Sequence, residues 1–394
     1  MFIKLFIESW TSQLTVEMSS NWHHLTLYPL RWLRLGGLHP RNNSKFATIQ
    51  FLFNFSYFGL VIVLALVEIL VSYRDNIYNS IESVLTIFLY LHIMGKYTIL
   101  HFNKSTLEHL LEDRQKFWRV EDFDGSTRHE CDEMMKSAST VIKSYLGYSC
   151  LVASSFLIQP IITGQLPVFL YVPPGWYYFL FFSFFYLTPY IMASIWGVDT
   201  IFYSISTPVR VQLKLLAFKF KNLDLDSIRS DDDQSIRKVK EQMKELIDYH
   251  NFLIKYCNHI NRMSSGIFLI QFLVAIATSC MQLFIASQRE FGLVNKFKCL
   301  AYFTMQIIET AMYCFSAELI SESVSTNVGN AVYQSKWYDL PVNSIKKDIA
   351  LIITRAQKRV VFSGLGLVWI NMETFTRIFK TALSFYTYLN TLVY

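Results

Sequence analysis

The chain has 394 residues, of which 52% are hydrophobic, 16% aromatic and only 17% charged. Average soluble domains carry about 25% charged residues, so an ordinary soluble globule is a poor fit, and apolar residues gathered in long blocks argue for a polytopic membrane protein. The net charge of +6 is too small to suggest a nucleic-acid partner; topology accounts for it below.

The N-terminal stretch MFIKLFIESWTSQLTVE lacks a long apolar core and a small-residue cleavage site. It reads as a retained cytosolic arm, residues 1–46. Seven segments then reach the roughly 20 apolar residues needed to cross a bilayer: 47–71, 80–102, 139–162, 176–203, 263–286, 296–319 and 362–392. The expected fold class is an all-α membrane protein with seven transmembrane helices and cytosolic helical extensions. Residues 47–205 would hold spans one to four, 206–262 a cytosolic extension, 263–319 spans five and six, 320–361 a cytosolic anchor region, and 362–394 the last span.

Lysine and arginine orient the spans. The arm holds Lys4, Arg31, Arg34, Arg41 and Lys45, and the second, fourth and sixth connections are crowded with cations. The connections on the other side hold only Arg74, Arg289, Lys296 and Lys298. The N-terminus is therefore expected in the cytosol and the C-terminus outside, the reverse of a G-protein-coupled receptor. The Asn-x-Ser sites at Asn42, Asn54 and Asn103 then fall in cytosolic or membrane positions, where they stay unglycosylated.

The cytosolic pieces read as amphipathic helices. Ile236, Val239, Met243, Leu246, His250, Leu253, Cys257 and Ile260 recur at alternating steps of three and four, which makes one stripe. Residues 209–220 extend the fourth span inward. A further helix over 344–359 follows Pro341, with Asn343 as its expected cap. Such stripes need a partner surface, within one subunit or between several. Residues 223–234, with Asp224, Asp226 and Asp231, read as an exposed loop.

Enzyme signatures are missing: there is no GxSxG, no HExxH and no P-loop. The six cysteines show neither a CxxC pair nor metal-ligand spacing and read as free thiols; no metal or other cofactor is expected. His23, His24 and His250 read as surface or packing residues. Lys96 and Lys143 are expected to snorkel to the cytosolic side, and Glu68 and Glu82 to the outer side. Glu309, near the middle of the sixth span, reads either as a buried acid that is protonated or meets a hydroxyl, or as a pore-side residue.

The outer halves of spans two, three, four and six are rich in aromatics with few hydroxyls. Span four reads WYYFLFFSFFYLTPY, with Pro189 expected to kink it. Such a lining suits a small, volatile, mostly apolar ligand held by shape with one or two polar contacts. Spacing and polarity nominate Phe88, Ser154, Ser155, Phe182, Tyr186, Tyr302 and Met305. Other aromatics, notably Trp176 and Tyr177, fit an interfacial belt.

The last span is not evenly apolar. Glu373, Arg377, Lys380, Ser384, Thr387 and Thr391 follow at steps of three and four and share one helix face, while Trp369, Ile370, Phe375, Ile378 and Phe379 help to fill the rest. A central charge against lipid costs about 3 kcal/mol on insertion scales, so the stripe must face protein or water. A water-filled conduit is the preferred reading, an interhelix seam the other. Arg377 and Lys380 would repel cations there, and Glu373, four residues before Arg377, offsets one of them.

This C-terminal stretch also carries a resemblance. Tyr313–Cys314, Ser316–Ala317–Glu318, Ser323, Ala331–Val332–Tyr333, Trp337–Tyr338, Leu340–Pro341, Arg355–Ala356–Gln357, Gly364, Met372–Glu373–Thr374–Phe375, Ile378, Lys380 and Ser384–Phe385 together resemble the C-terminal signature of insect odorant receptors. The resemblance implies a ligand-gated, non-selective cation channel subunit in the plasma membrane of a sensory neuron dendrite. It implies a tetramer around a pore lined by the last helix, with a cytosolic anchor and a longer shared co-receptor as partner. The moderate loop between spans four and five fits the tuning subunit. It also implies a hydrophobic constriction near the outer end of the last helix, matched here by Tyr388 and Leu389, with Thr391 about one turn outward. Gustatory receptors of the same superfamily typically carry TYxxxxxQF in the last helix; this chain has Thr374–Phe375 and no Gln-Phe. A G-protein-coupled receptor is opposed by the charge bias and by the missing DRY and NPxxY motifs.

Overall fold

The computed structural model describes residues 22–42, 44–72, 77–225, 233–288, 292–335, 337–340 and 342–393. The stretch 1–21, the acidic segment 226–232, and Arg74, Arg289, Lys336 and Pro341 lie outside the described residues. The described chain is nearly all helix. In order it forms α1 (Trp22–Leu35), α2 (Lys45–Ser72), α3 (Ile77–Phe102), α4 (Lys104–Asp113), α5 (Gly125–Thr163), α6 (Tyr177–Lys221), α7 (Asp233–Ser287) and α8 (Leu293–Glu322). A π turn (Ser323–Asn327), α9 (Val328–Tyr333), α10 (Asn343–Ala356), strands β1 (Ser363–Gly364) and β2 (Val368–Trp369), and α11 (Met372–Val393) follow.

Five helices are long and apolar enough to cross a membrane by length and composition: α2, α3, α5, α6 and α7. The sixth and seventh expected spans correspond to α8 and α11. Charges dilute their apolar character: Lys296, Lys298, Glu309 and Glu318 in α8, and Glu373, Arg377 and Lys380 in α11.

The N-terminal arm holds a helix that hydropathy does not mark. α1 lies along α6, and two glycines permit the approach. A Cβ at Gly197 would sit 2.8 Å from the Leu33 side chain, and one at Gly36 would collide with Ser194.

The two long cytosolic stripes join the spans they adjoin. Residues 235–260 run without a break into the fifth span, giving an α7 of 55 residues, and 209–220 complete an α6 of 45 residues. Val239, Met243, Leu246, His250, Leu253, Cys257 and Ile260 are all buried. The apolar members of the α7 stripe share one core with Val324, Val328, Ile345, Ile349 and Ile352, so the stripe finds its partner inside the subunit. Apolar residues left exposed at this end include Tyr333, Tyr338, Leu351, Leu365, Leu367 and Trp369.

Two expectations need correction here. Asn343 is the first residue of α10 and not its cap; the cap position is Val342, which makes no side-chain bond. The last span does not begin at 362. Residues 363–369 form a hairpin that turns through Leu365 and Gly366 at φ of 49° and 74°. Gly364 presses so close to the Leu269 backbone that a Cβ would lie 2.9 Å from its nitrogen. Trp369 and Ile370 therefore precede the last helix, which starts at Met372.

The second connection is tied down by polar bonds. The Trp118 N–H donates to Gln212 Oε1 at 2.9 Å, Gln212 Nε2 returns a bond to Trp118 O at 3.1 Å, and Tyr249 OH donates to the same Oε1 at 2.6 Å. The Trp118 and Tyr249 rings stack at 3.8 Å. Next to Tyr249, His250 Nε2 donates to Val324 O at 3.2 Å. Burial holds this imidazole below its ordinary pKa of 6.5, against the raising effect of the Val324 bond, and Arg355 adds to the lowering. The sign follows from linkage: a depressed folded value means that stability is complete above about 6.5 and is lost as pH falls below it. The expected result is a steeper loss of thermal stability from about pH 7 to about pH 5.5 in the wild type than in His250→Gln. Parallel pH profiles would count against it.

Candidate functional site

α3, α5, α6 and α8 enclose a cavity of about 100 Å³. Its walls are apolar: Leu89, Tyr90 and Ile93 from α3, Val152, Ala153 and Phe156 from α5, Phe184, Ile191, Met192 and Trp196 from α6, Tyr302 and Met305 from α8. Pro167 and Val168, from the α5–α6 connection, close one end. That connection is held in place by Tyr171 N–H on Leu64 O at 3.1 Å and Phe169 N–H on Thr86 Oγ1 at 3.2 Å. A smaller cavity of about 50 Å³ adjoins it and shares Leu89, Phe156, Pro167, Val168 and Tyr302. Phe156 and Tyr302 meet edge to face at 6.5 Å.

The opposite end is polar. Lys96, 1% exposed, donates to Asp199 Oδ1 at 2.8 Å and to Glu309 Oε1. Asp199 also accepts from Tyr313 OH on Oδ1 at 2.8 Å and from Tyr145 OH on Oδ2 at 2.6 Å. The Lys96 ammonium lies 5.3 Å from the centre of the Tyr313 ring. Beside it, His92 Nε2 meets Gln271 Oε1 at 2.8 Å, and Gln271 Nε2 donates to Thr310 Oγ1 at 3.0 Å. A network of charged and polar bonds thus joins α3, α5, α6, α7 and α8 at the inner end of the cavity.

Two sequence expectations change here. Lys96 does not snorkel; it is paired inside the bundle. Glu309 neither meets a hydroxyl nor faces a conduit; its partner is the Lys96 ammonium. Asp199, the third member, was not singled out at all. The available signal was charge arithmetic: one cation and two acids fall within the spans of three helices, and buried charges persist only when paired. The other in-span charges stay apart from this cluster. Glu68 accepts from Ser72 at 2.5 Å, Glu82 accepts from Asn295 Nδ2 at 3.4 Å, and Lys143 is exposed.

Of the seven nominated ligand residues, Tyr302 and Met305 line the cavity, and Phe88, Ser154, Ser155, Phe182 and Tyr186 do not. Ser154 and Ser155 return their hydroxyls to Cys150 O and Val152 O, at 2.8 and 2.6 Å. Phe182 and Tyr186 are 65% and 69% exposed, on the far side of α6. The α6 residues that reach the cavity include Phe184, Thr188, Ile191, Ile195 and Asp199, a run at steps of four and three, with Met192 and Trp196 beside it. In a helix that is aromatic all round, side-chain type does not reveal the inward face.

On α11 the nominated pore stripe lies on the side turned away from the subunit. Glu373, Arg377, Lys380, Ser384, Thr387, Tyr388 and Thr391 are exposed and Leu389 is half-buried, while Thr374, Ile378 and Ala382 are buried. Arg377 pairs with Glu373 at 3.2 Å. The Ser384, Thr387 and Thr391 hydroxyls bond carbonyls of their own helix. Phe379 packs edge-on against Phe303 of α8 at 6.2 Å. Among the described residues no group of His, Cys, Asp and Glu is placed to hold a metal ion, and the six cysteines are free.

Comparison with known proteins adds a family context. A family model described as 7tm Odorant receptor matches residues 75–383. The chain is 24% identical to Odorant receptor 10 of Aedes albopictus over 329 residues, covering 75% of this chain and 83% of that protein. It is 22% identical to Odorant receptor 47b of Drosophila melanogaster over 309 residues, with 73% and 72% covered. Its fold is similar to the insect olfactory receptor OR5 from Machilis hrabei, solved in complex with eugenol. The TM-score is 0.79 at 14% identity, with 95% of this chain and 100% of that one covered.

Proposed function

The chain belongs to the 7tm odorant receptor family, and from that premise we propose that it is a tuning subunit of a ligand-gated, non-selective cation channel. It binds a small, volatile, mostly apolar molecule in the cavity between α3, α5, α6 and α8 and gates a tetramer, together with a shared co-receptor, in the plasma membrane. The observation that carries this reading is the cavity itself: a small apolar chamber inside a helix bundle of this family, with a few polar groups at one end. The stripe on α11 supports its role as pore lining, because it is turned away from the subunit and four such faces could surround water. The charge bias supports a cytosolic N-terminus. The exposed apolar residues around Leu351 and Trp369 are the contacts offered to neighbouring subunits below the membrane.

Current recordings from cells expressing the chain with and without the co-receptor, across a panel of small volatiles, test the proposal. Ligand-evoked cation current with the co-receptor is expected; silence across the panel despite surface expression sinks it. Tags on the two termini, read on intact cells, test the orientation separately.

The wall between the two cavities gives a further expected result. Tyr302→Ala removes one of the two rings they share and should merge them. Longer ligands then bury additional methylenes at about 0.8 kcal/mol each, roughly fourfold in potency per carbon. Dose–response curves for a homologous series should shift their optimum to longer chains, and an unchanged optimum would show that Tyr302 is no partition.

A further inference from the structure

Charge at the inner end of the cavity is uneven. One ammonium, Lys96, faces two carboxylates, Asp199 and Glu309. Asp199 is saturated, with donors on both oxygens. Glu309 Oε1 takes the Lys96 bond, and among the described residues Oε2 has no donor. The Glu309 side chain is 7% exposed and borders the cavity. His92 Nε2 lies 3.9 Å from Glu309 Oε1, but its close partner is Gln271 at 2.8 Å. The ammonium gives two of its three N–H bonds to these carboxylates and lies near the Tyr313 ring, so its charge is spent within the cluster. An excess buried carboxylate at membrane depth is costly, and a donor or a cation from the ligand relieves it.

We infer, on the reading that this cavity is the ligand site, that Glu309 is its specificity-determining acceptor and selects ligands whose head group donates a hydrogen bond. A protonated amine fits best because it also supplies the missing positive charge, and a hydroxyl fits next. Ketones and esters, which only accept, leave Glu309 Oε2 bare, and a carboxylate adds a third negative charge. The apolar walls take the rest of the molecule. A dry apolar cavity of about 150 Å³ holds benzene, so one of about 100 Å³ holds a ring of similar or smaller size.

The test uses the purified full chain and three probes with the same ring and the same heavy-atom count: cyclopentylamine, cyclopentanol and cyclopentanone. Affinity is read from ligand-induced thermal stabilisation at neutral pH. The amine is expected to bind at least about tenfold more tightly than the ketone, the scale of one hydrogen bond to a charged group, with the alcohol between them. In Glu309→Gln the amide can donate to the carbonyl, and the ratio should shrink to within about threefold. Equal affinities for amine and ketone in the wild type, or no stabilisation by the amine, overturn the inference without any variant; so does a ratio that survives Glu309→Gln. Val152→Phe fills the cavity and separates the two levels of the claim. If the amine still stabilises that variant, the cavity is not the ligand site. If Val152→Phe abolishes binding of all three probes while amine and ketone bind the wild type equally, the cavity reading stands and the head-group inference falls.

Discussion

Lys96→Met is expected to remove most folded receptor from the cell surface. The substitution keeps the length of the side chain but deletes the ammonium shared by Asp199 and Glu309. Asp199 would retain its two tyrosine donors, and Glu309 would lose its close cationic partner. Removing one partner of a buried ion pair costs about 3–5 kcal/mol, because the remaining charge has neither water nor a counterion. Native stabilities are only about 5–15 kcal/mol, so a loss of that size exposes the protein to cellular quality control. The network argument makes a second demand. Replacing the whole cluster with neutral groups of similar shape is often close to neutral, so Lys96→Met with Asp199→Asn and Glu309→Gln should recover much of the lost stability. Thermal unfolding of purified variants reads both steps. A single Lys96→Met variant within about 1 kcal/mol of the wild type would show that the ion pairs carry little stability, and a triple variant less stable than the single one would show that the charges do not act as a unit.

The second large effect is expected at the far end of α11. Tyr388 is 61% exposed on the polar side of that helix, one step from the stripe, whereas Leu389 is half-buried toward the packed side. If four last helices surround the pore, Tyr388 is the better candidate for the closing ring. A narrow hydrophobic ring gates by losing water, and small changes in radius have large effects. Tyr388→Ala should raise basal current or change ion selectivity; a shift of about 1–2 kcal/mol in the closed state corresponds to a roughly 5- to 30-fold change in the open-to-closed ratio. Leu389→Ala should act more weakly, through packing. Co-receptor subunits would dilute both effects. Cysteine accessibility decides between conduit and seam: Thr387→Cys, Tyr388→Cys and Thr391→Cys should react with a small charged thiol reagent during ligand application. Leu70, 81% exposed on α2, is the lipid-side control. Inert cysteines at all three stripe positions, in channels that still open, would make the stripe a seam between helices.

Periodicity and charge determined a good deal from the sequence alone. The apolar blocks marked the helices, and the stripe from Val239 to Ile260 marked one face of α7 as buried before any partner was known. Both signals are local, because a helix repeats its faces every three or four residues and burial must follow that repeat. The polar stripe of α11 was legible for the same reason. What the stripe of α7 would touch was not local: the π turn, α9 and α10 supply its partners within the subunit, and only their packing decided that. The hairpin at 363–369 escaped because its residues are apolar enough to pass for helix; the close approach of Gly364 to Leu269 is a contact between segments far apart in the chain. The phase of α6 escaped because its face toward the cavity and its opposite face carry the same kinds of side chain, so Phe184 and Ile191 were passed over for Phe182 and Tyr186. The ion cluster is the sharpest case. In the sequence Lys96 and Glu309 draw notice separately and Asp199 draws none, because each lies on a different helix. They become a site only where three helices cross, since a charge in low dielectric is tolerated by the partner it meets in space, and that partner lies 103 or 213 residues away in sequence.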